Sequence, residues 1–295
     1  MITNILLFLI IYQIIVLVIN LLLGIYKYFL IQEKDLLSRY GKNSWVIITG
    51  GSSGQGADFA FEFAKRKFNI LLIGSKRSNN TKEIINKLYP EIQVKIIYKD
   101  FSKAYEKDFF NDIEYAVNNL DISLLINNVG YRVGWKPYHK MPKQYINDSI
   151  ITGTIVQSRL TQIVIPKFIS RKKYFGLNSG LINITAQCLH PNYLLGIGVN
   201  NEISVPYLSV YEGANAFGFY QGNSIYKEYK NDFDILNITP GAVITNNTGY
   251  LKDTIFSIDS KQFVTNIIKL LGNVNGRTCA YWGHALSELV INIFP

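Results

Sequence analysis

Cysteine, histidine, proline and charge are all scarce in this chain. Two cysteines, Cys188 and Cys279, in 295 residues cannot build a disulfide framework. There is no CxxC pair, and the three histidines, His139, His190 and His284, are scattered, so no metal site is expected. Only 17% of the residues are charged while 48% are apolar, which allows a sizeable core and excludes global disorder. No internal repeat and no low-complexity tract is present. The length suits one large domain or two small ones. The charge leans basic, with 30 Lys and Arg against 21 Asp and Glu, a net +9. That balance permits contact with nucleic acid or a membrane surface without requiring either. Lys65-Arg66-Lys67 and Arg171-Lys172-Lys173 are basic clusters, but no nucleic-acid module surrounds them. They read as solvated helix ends, with anionic lipid as a second reading. No nucleic-acid partner is expected.

Charge is absent altogether from residues 1–26. The stretch 5–26 is long enough as a helix to cross a hydrocarbon layer of roughly 30 Å. It lacks the basic start, short apolar run and small-residue cleavage site of a secretory signal, and it lacks the Arg of a mitochondrial presequence. An uncleaved transmembrane anchor over 1–26 is the expectation. Lys27, Lys34, Arg39 and Lys42 follow it and no positive side chain precedes it. The positive-inside rule then puts the body in the cytosol, or in the matrix if the membrane is mitochondrial. Residues 27–42 read as a charged linker, and 43–295 as the body.

In the body, short β-rich runs at 45–49, 69–73, 94–98, 122–126, 180–184 and 233–238 alternate with helical stretches. This predicts an α/β fold with a parallel sheet covered by helices on both faces. The first strand runs into Thr49-Gly50-Gly51-Ser52-Ser53-Gly54-Gln55-Gly56 and then a helix. Glycines there allow a tight turn and close backbone approach to a pyrophosphate, which would face the helix N-terminus. Gly50, Ser52, Gly54, Gln55 and Gly56 are the candidate dinucleotide-binding residues. An enzyme preferring NAD would end the second strand on Asp or Glu; this chain has Gly74-Ser75-Lys76-Arg77. Lys76 and Arg77 suit a 2′-phosphate, so NADP(H) is the expected cofactor, with solvated loop residues as the plain alternative.

With the glycine loop in place, Asn127-Asn128-Val129-Gly130 is a second landmark. Together they resemble the short-chain dehydrogenase/reductase family. The likeness is greatest to its membrane-anchored branch, the very-long-chain 3-oxoacyl-CoA reductases and 17β-hydroxysteroid dehydrogenases of the endoplasmic reticulum. Asp100-Phe101, LTQIVIP at 160–166, VPYLSVY at 205–211 and NGRTCAYWGHAL at 275–286 carry it further. The resemblance implies a Rossmann-type, doubly wound sheet of about seven strands. It also implies that Asp100 meets the adenine, that Asn127 lies beside the adenosine ribose, that Gly130 belongs to the cofactor site, and that Pro240, Gly241, Val243 and Thr245 close over the nicotinamide. Asp100 as a helix cap and Asn127 as a tie between strands are the alternatives. The endoplasmic reticulum is implied by the same likeness, with the mitochondrial inner membrane as the other reading. The chain ends on VINIFP without a dilysine signal, which leaves the organelle open. Core packing is the expectation for that run.

The family reduces a carbonyl with a Tyr that donates a proton, a Lys four positions on, a Ser that polarises the carbonyl and an Asn that orders a relay water. Here Tyr211 matches the Tyr, but the Lys position is Asn215, the Ser position Ala186 and the Asn position Gly153. Without a nearby cation the Tyr211 phenol should keep a pKa of about 10. Thr185 adjoins Ala186 but should face the other way along the strand. Ala186 and Tyr211 are 25 positions apart, against about a dozen in the family. The extra residues, within 188–204, could fill the substrate entrance or contact a partner, and His190 among them is a weak candidate acid. The expected function is therefore a membrane-anchored, NADP(H)-binding pseudoenzyme. It would serve as an accessory subunit, meeting other membrane proteins through the anchor and the insert. The alternative is an active NADPH-dependent reductase of 3-oxoacyl-CoA or steroid carbonyls, working through Tyr211.

Overall fold

The computed structural model describes residues 2–130, 135–187, 205–245, 248, 252 and 254–293; side chains are described for 7–289 within those ranges. The chain opens with α1 (Ile2–Ile25), continued by a π turn, Tyr26–Leu30, and then the short α2 (Leu36–Tyr40). The body alternates: β1 (Trp45–Thr49), α3 (Gly54–Lys65), β2 (Asn69–Gly74), α4 (Ser78–Leu88), β3 (Val94–Tyr98), α5 (Asn111–Asn119) and β4 (Ile122–Asn127). Next come α6 (Lys143–Ile150), a second π turn at Ile151–Ile155, α7 (Val156–Phe175), β5 (Gly180–Ile184), α8 (Ser209–Tyr229) and β6 (Asp234–Ile238). The described chain closes with β7 (Ala242–Ile244), β8 (Ser257–Asp259), α9 (Ser260–Leu270), β9 (Gly276–Thr278) and α10 (Trp282–Ile293).

Seven parallel strands form the main sheet in the order β3-β2-β1-β4-β5-β6-β9, and β7 pairs with β8 beside it. The six runs read from sequence are the first six strands of this sheet. β1, β2, β4 and β6 are buried along their whole length, as strands covered on both faces must be. Alternate residues serve opposite layers. Val46, Ile48, Ile70 and Leu72 join Phe59, Phe63 and Phe263 on one side. Trp45, Ile47, Leu71 and Ile73 join Phe110, Val164 and Phe168 on the other. A register shift between Trp45 and Val46 adds one residue to β4 and turns Ile122 to the same layer as Leu125. The inserted Ser123 is buried, and its hydroxyl is hydrogen-bonded to that of Ser44 at 2.8 Å.

Two expectations are corrected here. Residues 27–42 are not a free linker. The helix continues to Leu30, and Leu36 and Tyr40 are buried in the core. Arg39 pairs with Asp234 at 2.7 Å, and the Tyr40 hydroxyl donates to the same carboxylate at 2.7 Å. Apolar residues spaced one helical turn apart inside the charged stretch are what dock it. Nor are the basic clusters wholly solvated. Arg171 is fully buried; its guanidinium meets Asp121 at 2.7 Å and donates to the carbonyls of Tyr40 and Asn178. Arg66 is held by Glu33 and Glu62.

Candidate functional site

The strand order reverses between β1 and β4, and a cleft opens where the carboxyl ends of the strands diverge, the usual ligand position in such sheets. The cleft has a volume of about 1200 Å³. Its floor is the glycine loop. Gly50 has φ +72°, and a Cβ on Gly56 would run into the Gly50 carbonyl, so the turn closes only with glycine at both places. The loop leads into the N-terminus of α3 at Gly54. Thr49 fixes the facing wall. Its hydroxyl accepts from the backbone N–H groups of Asn128 and Val129 at 2.9 and 3.0 Å, while Asn128 Nδ2 donates to the Thr49 carbonyl.

Of the candidate residues, Gly50, Ser52, Gly54, Gln55, Lys76, Arg77, Asp100, Gly130, Tyr211, Pro240, Gly241, Val243 and Thr245 all line the cleft. Gly56 sits behind the loop as its packing residue. Lys76 and Arg77 are exposed at the end of β2. Asp100 lines the cleft and also caps the following 3-10 turn, its carboxylate accepting from Ser102 N and Oγ. Asn127 is buried at the end of β4; Nδ2 donates to Thr161 Oγ1 and Asn183 Oδ1 at 3.0 and 2.9 Å, and Oδ1 has no protein donor among the described residues. Asn183 continues to Asn237, and Asn237 to Asn223. This amide ladder ties β4, β5 and β6 together beneath the cleft. Isolated asparagines on separate strands carry no pairing signal in sequence, so the ladder is visible only once the strands are side by side.

These residues fit a dinucleotide. Gln55 lines the cleft, and its Oε1 is buried without a protein donor among the described residues. α3 opens at Gly54 against this loop, and the backbone N–H groups of a helix N-terminus suit an anion.

At the other end, Tyr211 and Asn215 lie one turn apart on α8, and both line the cleft with Ala186 and Gly153. Asn215 Nδ2 donates to the Tyr211 carbonyl at 2.8 Å, folding the amide back onto its own helix. Thr185 does line the cleft, but its hydroxyl proton goes to the Ile238 carbonyl at 3.0 Å. A hydroxyl has one proton, so Thr185 is not a free donor in place of the missing Ser. Gly153 lies in the second π turn, and a Cβ there would come within 2.8 Å of the Ala214 Cβ. The space beside Gly153 is therefore closed by α8.

Sequence reading passed over three further parts. Asp148, Ser149, Thr152 and Gln157 make a polar wall along α6, the second π turn and the start of α7. Glu212 is buried beside Tyr211; its carboxylate accepts from Val205 N at 2.8 Å, and burial raises its pKa. Under Pro240-Gly241, His284 is fully buried with Nε2 3.1 Å from the Ala242 carbonyl, and burial lowers its pKa. Cys279, pushed up to about 12 by burial, is an uncharged thiol hydrogen-bonded to Glu288. Cys188, His190 and the segment 188–204 lie outside the described residues.

The family model for short chain dehydrogenase matches residues 44–185. The very-long-chain 3-oxoacyl-CoA reductase of Candida albicans is 30% identical over 286 residues, spanning 91% of this chain and 77% of the relative. That of Aspergillus niger is 27% identical over 269 residues, covering 88% and 72%. A solved 7beta-hydroxysteroid dehydrogenase shares the fold with TM-score 0.70 at 15% identity, over 88% of this chain and 95% of that one. A short-chain dehydrogenase from Sphingobium yanoikuyae, in complex with NADPH, gives 0.63 at 19% identity, over 85% and 94%. The glycine loop, the sheet order and this similarity along most of both chains lead to one assignment: the chain belongs to the short-chain dehydrogenase/reductase family.

Proposed function

We propose that this protein is a membrane-anchored, NADP(H)-binding member of the family whose carbonyl-reducing apparatus has lapsed, and that it serves a membrane complex as an accessory subunit. The observation that carries the reading is the cleft itself, where Tyr211 stands with Asn215 and Ala186 at the positions that the family gives to Lys and Ser. Gly50, Ser52, Gly54 and Gln55 would hold the pyrophosphate, with Gly56 keeping their turn tight. Lys76 and Arg77 would face the 2′-phosphate, Asp100 the adenine, and Gly130 and the segment from Pro240 to Thr245, Val243 included, the nicotinamide end. A bound nicotinamide cofactor supplies a hydride. This chain must then supply a proton and a donor to the developing oxyanion. The position four residues after Tyr211 holds Asn215, an amide that supplies no positive charge to favour a phenolate. Ala186 gives the oxyanion no hydrogen bond, an absence that costs roughly 10²–10³ in rate where such donors are removed.

α1 is long and apolar enough to cross a bilayer, and the span Leu7–Leu30 carries the anchoring proposal, with the body on the side of Lys34 and Lys42. The test is NADPH oxidation by the full chain with a long-chain 3-oxoacyl-CoA and with a keto-steroid, beside Tyr211→Phe. A rate no higher than in the Phe variant supports the proposal. A robust rate that collapses in the variant establishes the second reading, a working reductase of such carbonyls. That reading is favoured by the 30% identity to the Candida albicans reductase and by the Tyr itself.

A further inference from the structure

Away from the cleft, exposed apolar side chains gather where the N-terminal helix meets the body. The Phe29 ring lies 6.4 Å from the Trp282 ring, and the Tyr281 ring lies 5.6 Å from that of Trp282. The Tyr281 hydroxyl donates to the Ile255 carbonyl at 3.2 Å. Gly283 makes this approach possible, because a Cβ there would collide with the same carbonyl. Phe29, Leu30, Ile255 and Phe256 are 62%, 62%, 55% and 40% exposed. Three segments far apart in sequence thus form one apolar collar around the end of the helix.

We propose that this collar sits in the interfacial layer of the bilayer that the N-terminal helix crosses, so that the body rests on the membrane as well as being tethered to it. The inference rests on the spanning reading of that helix. Continuity decides the occupant: Phe29 and Leu30 close the apolar span, and Trp282 packs against Phe29. A hydrocarbon layer of roughly 30 Å takes about 20 helical residues at 1.5 Å each, so a longer helix carries its last turn into the headgroup region. Trp and Tyr favour that layer because their rings are apolar and their N–H and O–H reach water. Trp282 also opens α10, whose Glu288 lines the cleft, so this wall of the cleft lies next to the headgroups.

The test uses the full chain in phosphatidylcholine vesicles, with and without lipid brominated near the top of one acyl chain. Flotation of the same samples reports anchoring. The Trp282 signal is taken as wild type minus Trp282→Phe, with Trp45 and Trp135 as common background. Quenching of that signal by brominated lipid, reduced by Ile255→Asp and Phe256→Asp while flotation is unchanged, is the expected result. Flotation without quenching overturns the collar alone, whether aqueous iodide reaches Trp282 or a covering protein shields it from both quenchers. Failure to float overturns the anchor and the collar together.

Discussion

Arg171 carries more structure than its place in a run of three basic residues suggests. Its guanidinium links α7 to Asp121 before β4, to the Tyr40 carbonyl at the end of α2 and to the Asn178 carbonyl before β5. Truncation leaves those buried carbonyls unsatisfied, and charged hydrogen bonds are worth roughly 1.5–3 kcal/mol each. Arg171→Ala should therefore destabilise by about 3 kcal/mol, a typical loss for one partner of a buried pair. Asp121→Asn should cost about 1 kcal/mol or less, because Asp121 is 49% exposed and water can take its place. Denaturant titrations of the detergent-solubilised chain check this; equal losses would put the energy in the ion pair instead of the carbonyls. His284 gives a pH dependence. Burial among Phe263 and Tyr281 favours its neutral form and holds its pKa below 6.5. Below that pH the unfolded chain binds the proton first, so this contribution is complete above 6.5 and is lost as pH falls through the folded value. The melting temperature should fall from pH 7 to pH 5.5, and His284→Gln should fall less; parallel slopes would remove His284 as the cause.

At the scale of elements, the second π turn and α8 explain why the old relay position cannot simply be refilled. Gly153 and Ala214 meet where a Cβ has no room. Gly153→Asn alone should cost about 1–3 kcal/mol through overpacking. Adding Ala214→Gly should recover part of that, a coupling that a double-mutant cycle reads directly. Strict additivity would mean the two elements part without strain. It follows that Gly153→Asn, Ala186→Ser and Asn215→Lys should gain carbonyl reduction only when Ala214→Gly accompanies them. The elements that escaped the sequence are also instructive. β7, β8 and β9 have three residues each, too few for alternation to show; β7 and β8 are defined by pairing with each other and β9 by pairing with β6. α2 was hidden by its charged neighbours, although Leu36 and Tyr40 carry the helical spacing that buries it.

For the whole molecule, cofactor choice and membrane attachment are separable. Lys76 and Arg77 end β2, where no acidic side chain stands, and among the described residues neither joins an ion pair. The full chain should bind NADP(H) more tightly than NAD(H) by calorimetry, and Lys76→Ala with Arg77→Ala should erase the difference. Equal affinities in the wild type would refute the assignment. Removal of residues 1–26 should release the protein from carbonate-washed membranes, since the collar has apolar surface but no span. Retention in the pellet would show that another contact provides the hold. What the sequence determined by itself is whatever short-range patterns encode: the apolar helix, the centres of six strands, and the glycine turn whose crowding only a missing Cβ relieves. Gly153, Ala186 and Asn215 were singled out in the sequence by their fixed offsets from neighbouring motifs. Only the tertiary structure decided that Arg171 is buried, that Asn127 ties strands behind the cleft, that Gly153 is closed by Ala214, and that Phe29 meets Trp282. Each of these depends on which distant residues come to share a face, and such contacts leave no local period to read.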